Sequence, residues 1–146
     1  MGTRAFVGRR DATDPTVAHL RYVHSDAVPE YMVPTLVAIT QVTFAGDSTA
    51  TVAALLAHTW AYLGADVTEE DTFLDGDTPV PGVGMILGAA ETQPPTTLPV
   101  ARLADLPAQW VYLIDPHAGT LTVLSTDDPA NPAAIYTFTH TAGGQR

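Results

Sequence analysis

Residues 110–125 constrain the chain most. Trp110-Val-Tyr-Leu-Ile-Asp115 and Thr120-Leu-Thr-Val-Leu-Ser125 are rich in β-branched and aromatic residues, and they flank the turn-forming Pro116-His-Ala-Gly119. The spacing predicts a β-hairpin. Both faces of residues 110–114 are apolar, which places that strand in the middle of a sheet rather than at its rim.

A chain of 146 residues with 46% hydrophobic and 15% charged residues buries a core of its own, and a single domain over residues 1–146 is expected. No repeat or interdomain linker interrupts it. Residues 3–10 read as a strand, residues 11–16 as a turn-rich connector and residues 17–24 as a second strand. If Arg10 lies near Val17 in a hairpin, paired residue numbers sum to about 27, with Thr3 opposite His24 and Arg4 opposite Val23. A slip of one residue would reverse the faces. A helix is expected next, with Pro34 in its first turn, where a missing N–H is harmless. A second helix is expected over residues 49–63. Asp47 or Ser48 would cap it, Val52, Leu55, Leu56, Thr59, Trp60 and Leu63 would form one face, and Gly64 would stop it.

Residues 65–81 read as an acidic loop, and residues 82–88 as a short strand. Residues 89–108, with Pro94, Pro95, Pro99 and Pro107, form a connector long enough to need local structure or a function of its own, and residues 100–106 are suited to a helical turn. After the hairpin come a loop over 126–133 and a last strand over 134–141. The fold class is α+β: a largely antiparallel sheet with about two helices on one face, in the order ββααβ-loop-βββ.

Cysteine is absent, which excludes disulfides, thiolate metal sites and a cysteine nucleophile. Lysine is absent as well. Residues 1–21 carry four arginines against two aspartates, and the remainder two arginines against fourteen acids, so a segment of +2 precedes one of −12 within the net −10. This balance opposes binding to nucleic acid phosphates and favours a protein partner with a basic surface. No apolar run approaches a membrane span and no signal peptide is evident, so a cytoplasmic location is expected. Homo-oligomerisation is left open.

Chemistry concentrates at residues 22–29, Tyr-Val-His-Ser-Asp-Ala-Val-Pro, where an extended segment gives way to a helix. Alternation along a strand directs Tyr22, His24 and Asp26 to one side. His24 and Asp26 are suited to a proton relay or a shared cation, and Arg4 beside them to a phosphate or carboxylate. The competing reading is structural: Asp26 caps the turn, His24 bonds to it, and Arg4 closes the junction as an ion pair with Asp26. Arg4, Tyr22, His24 and Asp26 are thus the candidate ligand-binding residues, with no catalytic residue, metal or cofactor assigned. Thr3 fails as an N-terminal nucleophile, because removal of Met1 exposes Gly2. The acids of residues 66–77 do not follow the EF-hand order, and the glycines of residues 82–88 lack the phosphate-loop spacing. His58 could approach His24 only through the fold. His19, His117 and His140 read as turn or strand-surface residues, and Trp60 and Trp110 as core.

The opening Met1-Gly2-Thr3-Arg4, the Tyr22-x-His24-x-Asp26-x-x-Pro29 motif and the Trp110-x-Tyr112-x-Ile114-Asp115 segment resemble a group of small proteins of unassigned activity from phages and bacteria, actinobacteria included. The likeness covers roughly the first 35 residues and the 110–124 hairpin. Ser25 stands where that group commonly has an aromatic, and Ala27-Val28 where it has Gly-Tyr. Small size, high negative charge, the lack of a coherent catalytic set and this resemblance together point to a non-enzymatic phage or mobile-element accessory protein that binds and modulates a host protein. The alternative is a small-ligand protein or hydrolase, for a nucleotide or anion, built on Arg4, Tyr22, His24 and Asp26 beneath the 89–108 connector.

Overall fold

A computed structural model describes residues 3–72, 76–88 and 94–138. The hairpin at residues 110–125 is present as expected. Strands β7 (Trp110–Asp115) and β8 (Thr120–Ser125) pair antiparallel from Trp110↔Ser125 to Asp115↔Thr120, and Gly119 closes the turn with a φ of 69°. β7 is central, as its two apolar faces require. Its other neighbour is the N-terminal strand β1 (Ala5–Arg10), which runs parallel to it.

β1 pairs antiparallel with β2 (Val17–Val23), but with Ala5 opposite Val23 and Phe6 opposite Tyr22. The register is one residue away from the expected pairing of Arg4 with Val23. The turn sets it, because the Asp11 N–H donates to Val17 O at 2.8 Å and the Asp11 carboxylate organises residues 13–14. Gly8 is required by the resulting close approach, since a Cβ there would sit 1.9 Å from the carbonyl oxygen of His19.

Helix α1 (Pro29–Ala38) starts earlier than expected. Pro29, rather than Pro34, occupies its first turn, and Pro34 lies within it. The helix runs on into a wider π-type turn, Ile39–Thr43, whose Thr40 hydroxyl is buried and donates to Leu36 O at 2.8 Å. Helix α2 (Ser48–Leu56) is capped by Asp47, whose carboxylate accepts from the Ala50 N–H at 3.0 Å. It ends well short of residue 63. Trp60–Leu63 is instead strand β3, anchored by Val23↔Trp60 and by the Trp60 indole N–H donating to Leu55 O at 2.9 Å. Helical spacing of apolar residues continues across this boundary, but aromatic and β-branched side chains at 59, 60 and 62 suit a strand. Gly64 follows β3 with its N–H on Val83 O at 2.8 Å, so it does not end a helix.

The acidic stretch contains β4 (Thr78–Val80), and the next segment supplies β5 (Gly84–Ile86). The long connector carries β6 (Thr96–Pro99) and a 3-10 helix, Val100–Asp105, which satisfies its need for local structure. β9 (Ala134–Thr137) completes the order β4-β5-β3-β2-β1-β7-β8-β9, with β6 also alongside β2; residues 139–141 of the expected last strand lie outside the described residues. All pairings except β1–β7 and β2–β3 are antiparallel. The α+β class and the two main helices are as the sequence indicates.

Alternate residues of the sheet feed two cores. Ala5, Val7, Val23, Tyr112, Ile114, Leu121 and Val123 pack with Met32, Leu36, Ile39, Val52 and Leu55 of the helical side. Phe6, Ala18, Leu20, Val111, Leu113 and Leu124 pack on the other side with Leu103 of the 3-10 helix. At roughly 1.5–3 kcal/mol for each large buried apolar side chain, both layers matter to stability. Among the described residues, no helix is long and apolar enough to cross a membrane.

Candidate functional site

The junction between β2 and α1 places its polar side chains on two different surfaces. β2 ends at Val23, and the next backbone groups turn to β3: His24 N–H donates to Trp60 O at 2.9 Å and Ser25 N–H to Ala61 O at 3.0 Å. The Ser25 hydroxyl bonds the same Ala61 carbonyl at 3.0 Å. Asp26 then adopts a φ of 59°, a conformation that Asp and Asn tolerate better than most residues. Strand alternation stops before Asp26. It makes no hydrogen bond or ion pair with His24 or Arg4 among the described residues, so the expected His24–Asp26 pair and the Arg4–Asp26 ion pair do not form.

Tyr22, His24 and Arg4 do come together. The Tyr22 hydroxyl lies 2.9 Å from His24 Nδ1, and the rings meet edge to face at 5.8 Å. Phe6 supports Tyr22 from across the strand pair at 5.5 Å. Burial raises the Tyr22 pKa, while the positive charge of Arg4 opposes the rise, which places the guanidinium near the phenol. The observed register is responsible: with Ala5 opposite Val23, Arg4 falls opposite His24 and on its face.

Arg4 and His24 line an open groove of about 830 Å³ with Gln109, Trp110, Thr126 and Asp127. Its far wall is the end of the long connector. The Gln109 side-chain oxygen accepts from Arg4 N–H and the Arg4 carbonyl accepts from Gln109 N–H, both at 3.1 Å. The Thr126 hydroxyl donates to Ala108 O at 2.7 Å. The groove offers a guanidinium, an imidazole, amide and hydroxyl groups and one aromatic wall, a set suited to holding an anionic group on a planar body.

Asp26 belongs to the other surface. It contributes, with Asp66, to raising the pKa of Tyr31, after the larger effect of burial; Thr35 opposes through a hydrogen bond. Tyr62 is raised in turn by burial first, then by Asp71, Tyr31, Asp66 and Asp26. Glu30 and Asp66 border the same shallow depression as Tyr31, which is 38% exposed. The Tyr31 hydroxyl donates to Leu63 O at 2.7 Å and fixes its ring. His58 packs edge-on against Trp60 at 5.6 Å and is not among the residues lining the groove. Among the described residues, no three His, Asp or Glu side chains gather closely enough to hold a metal ion.

A third constellation was not legible in the sequence. His19 Nε2 lies 2.7 Å from Asp11 Oδ1, and His19 Nδ1 lies 3.0 Å from Thr97 Oγ1. The Asp11 carboxylate also accepts from the Thr13 N–H at 3.0 Å, the Thr13 hydroxyl at 2.9 Å and the Asp14 N–H at 3.0 Å. These bonds, His19 foremost, hold its pKa far below the usual carboxylate range. Asp11 and His19 are eight positions apart, which a turn-strand reading could have joined. Thr97 lies in the long connector, and only the pairing of β6 with β2 brings it there.

Comparison with protein-family models, with curated proteins and with solved structures gives no match in any of the three.

Proposed function

We propose that the protein is an accessory factor that binds a partner protein with a basic surface and modulates it. The observation that carries this reading is the gathering of Asp26, Glu30, Asp66 and Asp71 around Tyr31 and Tyr62, on one side of the junction. An arginine or lysine side chain of a partner would find carboxylates and aromatic faces together there, the pairing that supports salt bridges and cation–π contacts. The likeness of the Met1–Arg4 opening and the Tyr22–Pro29 motif to small phage and actinobacterial proteins agrees with an accessory role. The net charge of −10 favours electrostatically steered association with such a partner.

The test is capture from a host lysate at low and at physiological salt. A partner should be retained, with its association rate falling as salt rises, and Asp26→Asn together with Asp66→Asn should slow association. Failure to retain any partner above background at either salt would sink the proposal.

The Arg4–His24 groove favours a second reading, a small anionic ligand such as a nucleotide bound without chemistry. Its Arg4 guanidinium and Trp110 wall are the supporting features. Inorganic phosphate and nucleoside phosphates should raise the melting temperature of the native protein but not of Arg4→Ala. A ligand present at one hundred times its dissociation constant adds about 2.7 kcal/mol.

A further inference from the structure

The Asp11–His19–Thr97 constellation has the connectivity of an activated nucleophile. Asp11 accepts hydrogen bonds from two backbone N–H groups and one hydroxyl, so its carboxylate acts only as an acceptor. His19 Nε2 must therefore carry the proton in their 2.7 Å bond. That choice leaves Nδ1 of the neutral imidazole as the acceptor, and Thr97 as the donor in the 3.0 Å contact. The acid orients the base, and the base faces the hydroxyl. These are the acid, base and hydroxyl roles of a triad, with the two ring nitrogens exchanged so that Nε2 faces the acid and Nδ1 the hydroxyl.

The strand pairing supplies one more element. Val100 N–H donates to Thr16 O at 2.7 Å, so Thr16 and Val100 form a bonded position of the β2–β6 ladder. Bonded and non-bonded pairs alternate in an antiparallel ladder, which makes His19↔Thr97 a non-bonded pair. In such a pair the side chains approach most closely, as these two do. The backbone N–H of Thr97 points away from β2, toward the edge of β6, where no described strand pairs. Thr97 is exposed, and its own N–H is left outside the β2–β6 ladder.

We propose that Thr97 is a nucleophile for small activated acyl esters, with His19 as its general base and Asp11 as the positioning residue. Thr97 Oγ1 attacks the ester carbonyl carbon while its proton passes to His19 Nδ1. The Thr97 N–H meets the tetrahedral oxyanion. Collapse breaks the bond to the leaving alkoxide or phenolate, which takes the proton back from His19, and an O-acyl-Thr97 ester remains. Water then attacks this ester with His19 accepting its proton, and the carboxylic acid and the free hydroxyl are regenerated.

The test uses the full chain and p-nitrophenyl acetate, with nitrophenolate release followed optically and acid-quenched protein analysed by intact mass and peptide mapping. A single acetyl group on Thr97 is expected. His19→Ala should slow acylation about 100-fold or more, the range for loss of a general base. Asp11→Asn should slow it while leaving Thr97 as the labelled residue, and Thr97→Val, which keeps a β-branched side chain in the strand, should abolish labelling at this position. Acetyl found only on other residues of the wild-type protein would overturn the proposal. So would release by Thr97→Val or His19→Ala at the wild-type rate. The mapping of the wild-type protein decides the matter even if a variant does not fold.

Discussion

The Tyr112 hydroxyl, wholly buried on the central strand, donates a 2.6 Å hydrogen bond to the carbonyl of Ala27. Burial pushes the phenol pKa far up, with Glu30 adding to the rise, so the group stays a neutral donor. The bond holds the β2–α1 junction against β7, and with it the divergence of His24 from Asp26. Tyr112→Phe keeps the ring but orphans a carbonyl in the core, which costs about 1–3 kcal/mol. Urea unfolding should register that loss. A change below about 0.5 kcal/mol, the size of an ordinary surface substitution, would show the bond to be dispensable.

Gly8 is the tightest point of the β1–β2 pair. An added Cβ meets the His19 carbonyl oxygen at 1.9 Å, and this neighbour is backbone held in a ladder. Gly8→Ala must therefore move strands rather than a flexible side chain, and its cost should reach or exceed the upper end of the roughly 1–3 kcal/mol typical of overpacking. Equilibrium denaturation gives the number, and amide exchange across residues 17–23 should accelerate. Retention of wild-type stability would contradict the close approach.

The parts of the fold carried by local signals were legible. The 110–125 hairpin, the cap at Asp47 and the apolar faces of β7 each depend on residues close in sequence. The failures lie where tertiary pairing decides. Helical spacing from Val52 to Leu63 crosses Ala57, yet β3 forms because Trp60 pairs with Val23 and Ile86. The β1–β2 register lies one residue from the spacing that the connector length suggests, because the Asp11-centred turn fixes it. Of the candidate site, Tyr22, His24 and Arg4 converge, with Arg4 opposite His24 rather than opposite Val23. Asp26 lies beyond the end of β2 at Val23, with a φ of 59°, so strand alternation does not reach it. Thr97 had no local signal at all.

Arg21 is buried and does the work of a helix terminus. Its Nε donates to Leu56 O at 2.9 Å, Nη1 to Thr59 Oγ1 at 3.0 Å and Nη2 to Ala57 O at 3.4 Å, all at the end of α2. α2 has no basic residue in its own last turn, so this arginine from β2 meets the free carbonyls and the negative end of the helix. Arg21→Met should cost about 2–3 kcal/mol by leaving those acceptors without a charged donor. Arg21→Lys should recover only part of it, because a single ammonium does not reproduce the planar fork. Thermal melts of the pair separate the two effects, and equal stability of the lysine variant and wild type would refute the fork argument.

Arg4 and Asp26 form no ion pair among the described residues, so Arg4→Ala should leave stability within about 0.5 kcal/mol of wild type. An ion pair closing the junction would demand a larger loss. The same variant should lose any stabilisation by phosphate or nucleotides that wild type shows, because the guanidinium borders the groove. A drop in melting temperature without ligand, of the size expected for Tyr112→Phe, would restore the structural role.

Asp11 makes stability depend on pH in a defined direction. Its folded carboxyl holds a proton less readily than the usual aspartate value of 3.8, because His19, Thr13 and Asp14 all donate to the charged form. Below that value the unfolded chain therefore binds more protons than the folded one, and stability falls as pH falls. The contribution is fully present above 3.8 and is lost progressively as the medium becomes more acidic. Asp11→Asn cannot ionise and lacks this component. Melting temperatures of wild type and Asp11→Asn, followed from neutral pH to roughly pH 2, should be furthest apart at the neutral end and converge in acid. A constant difference over that range would mean that the carboxylate is not held by its hydrogen bonds, and the orientation of His19 toward Thr97 would lose its physical basis.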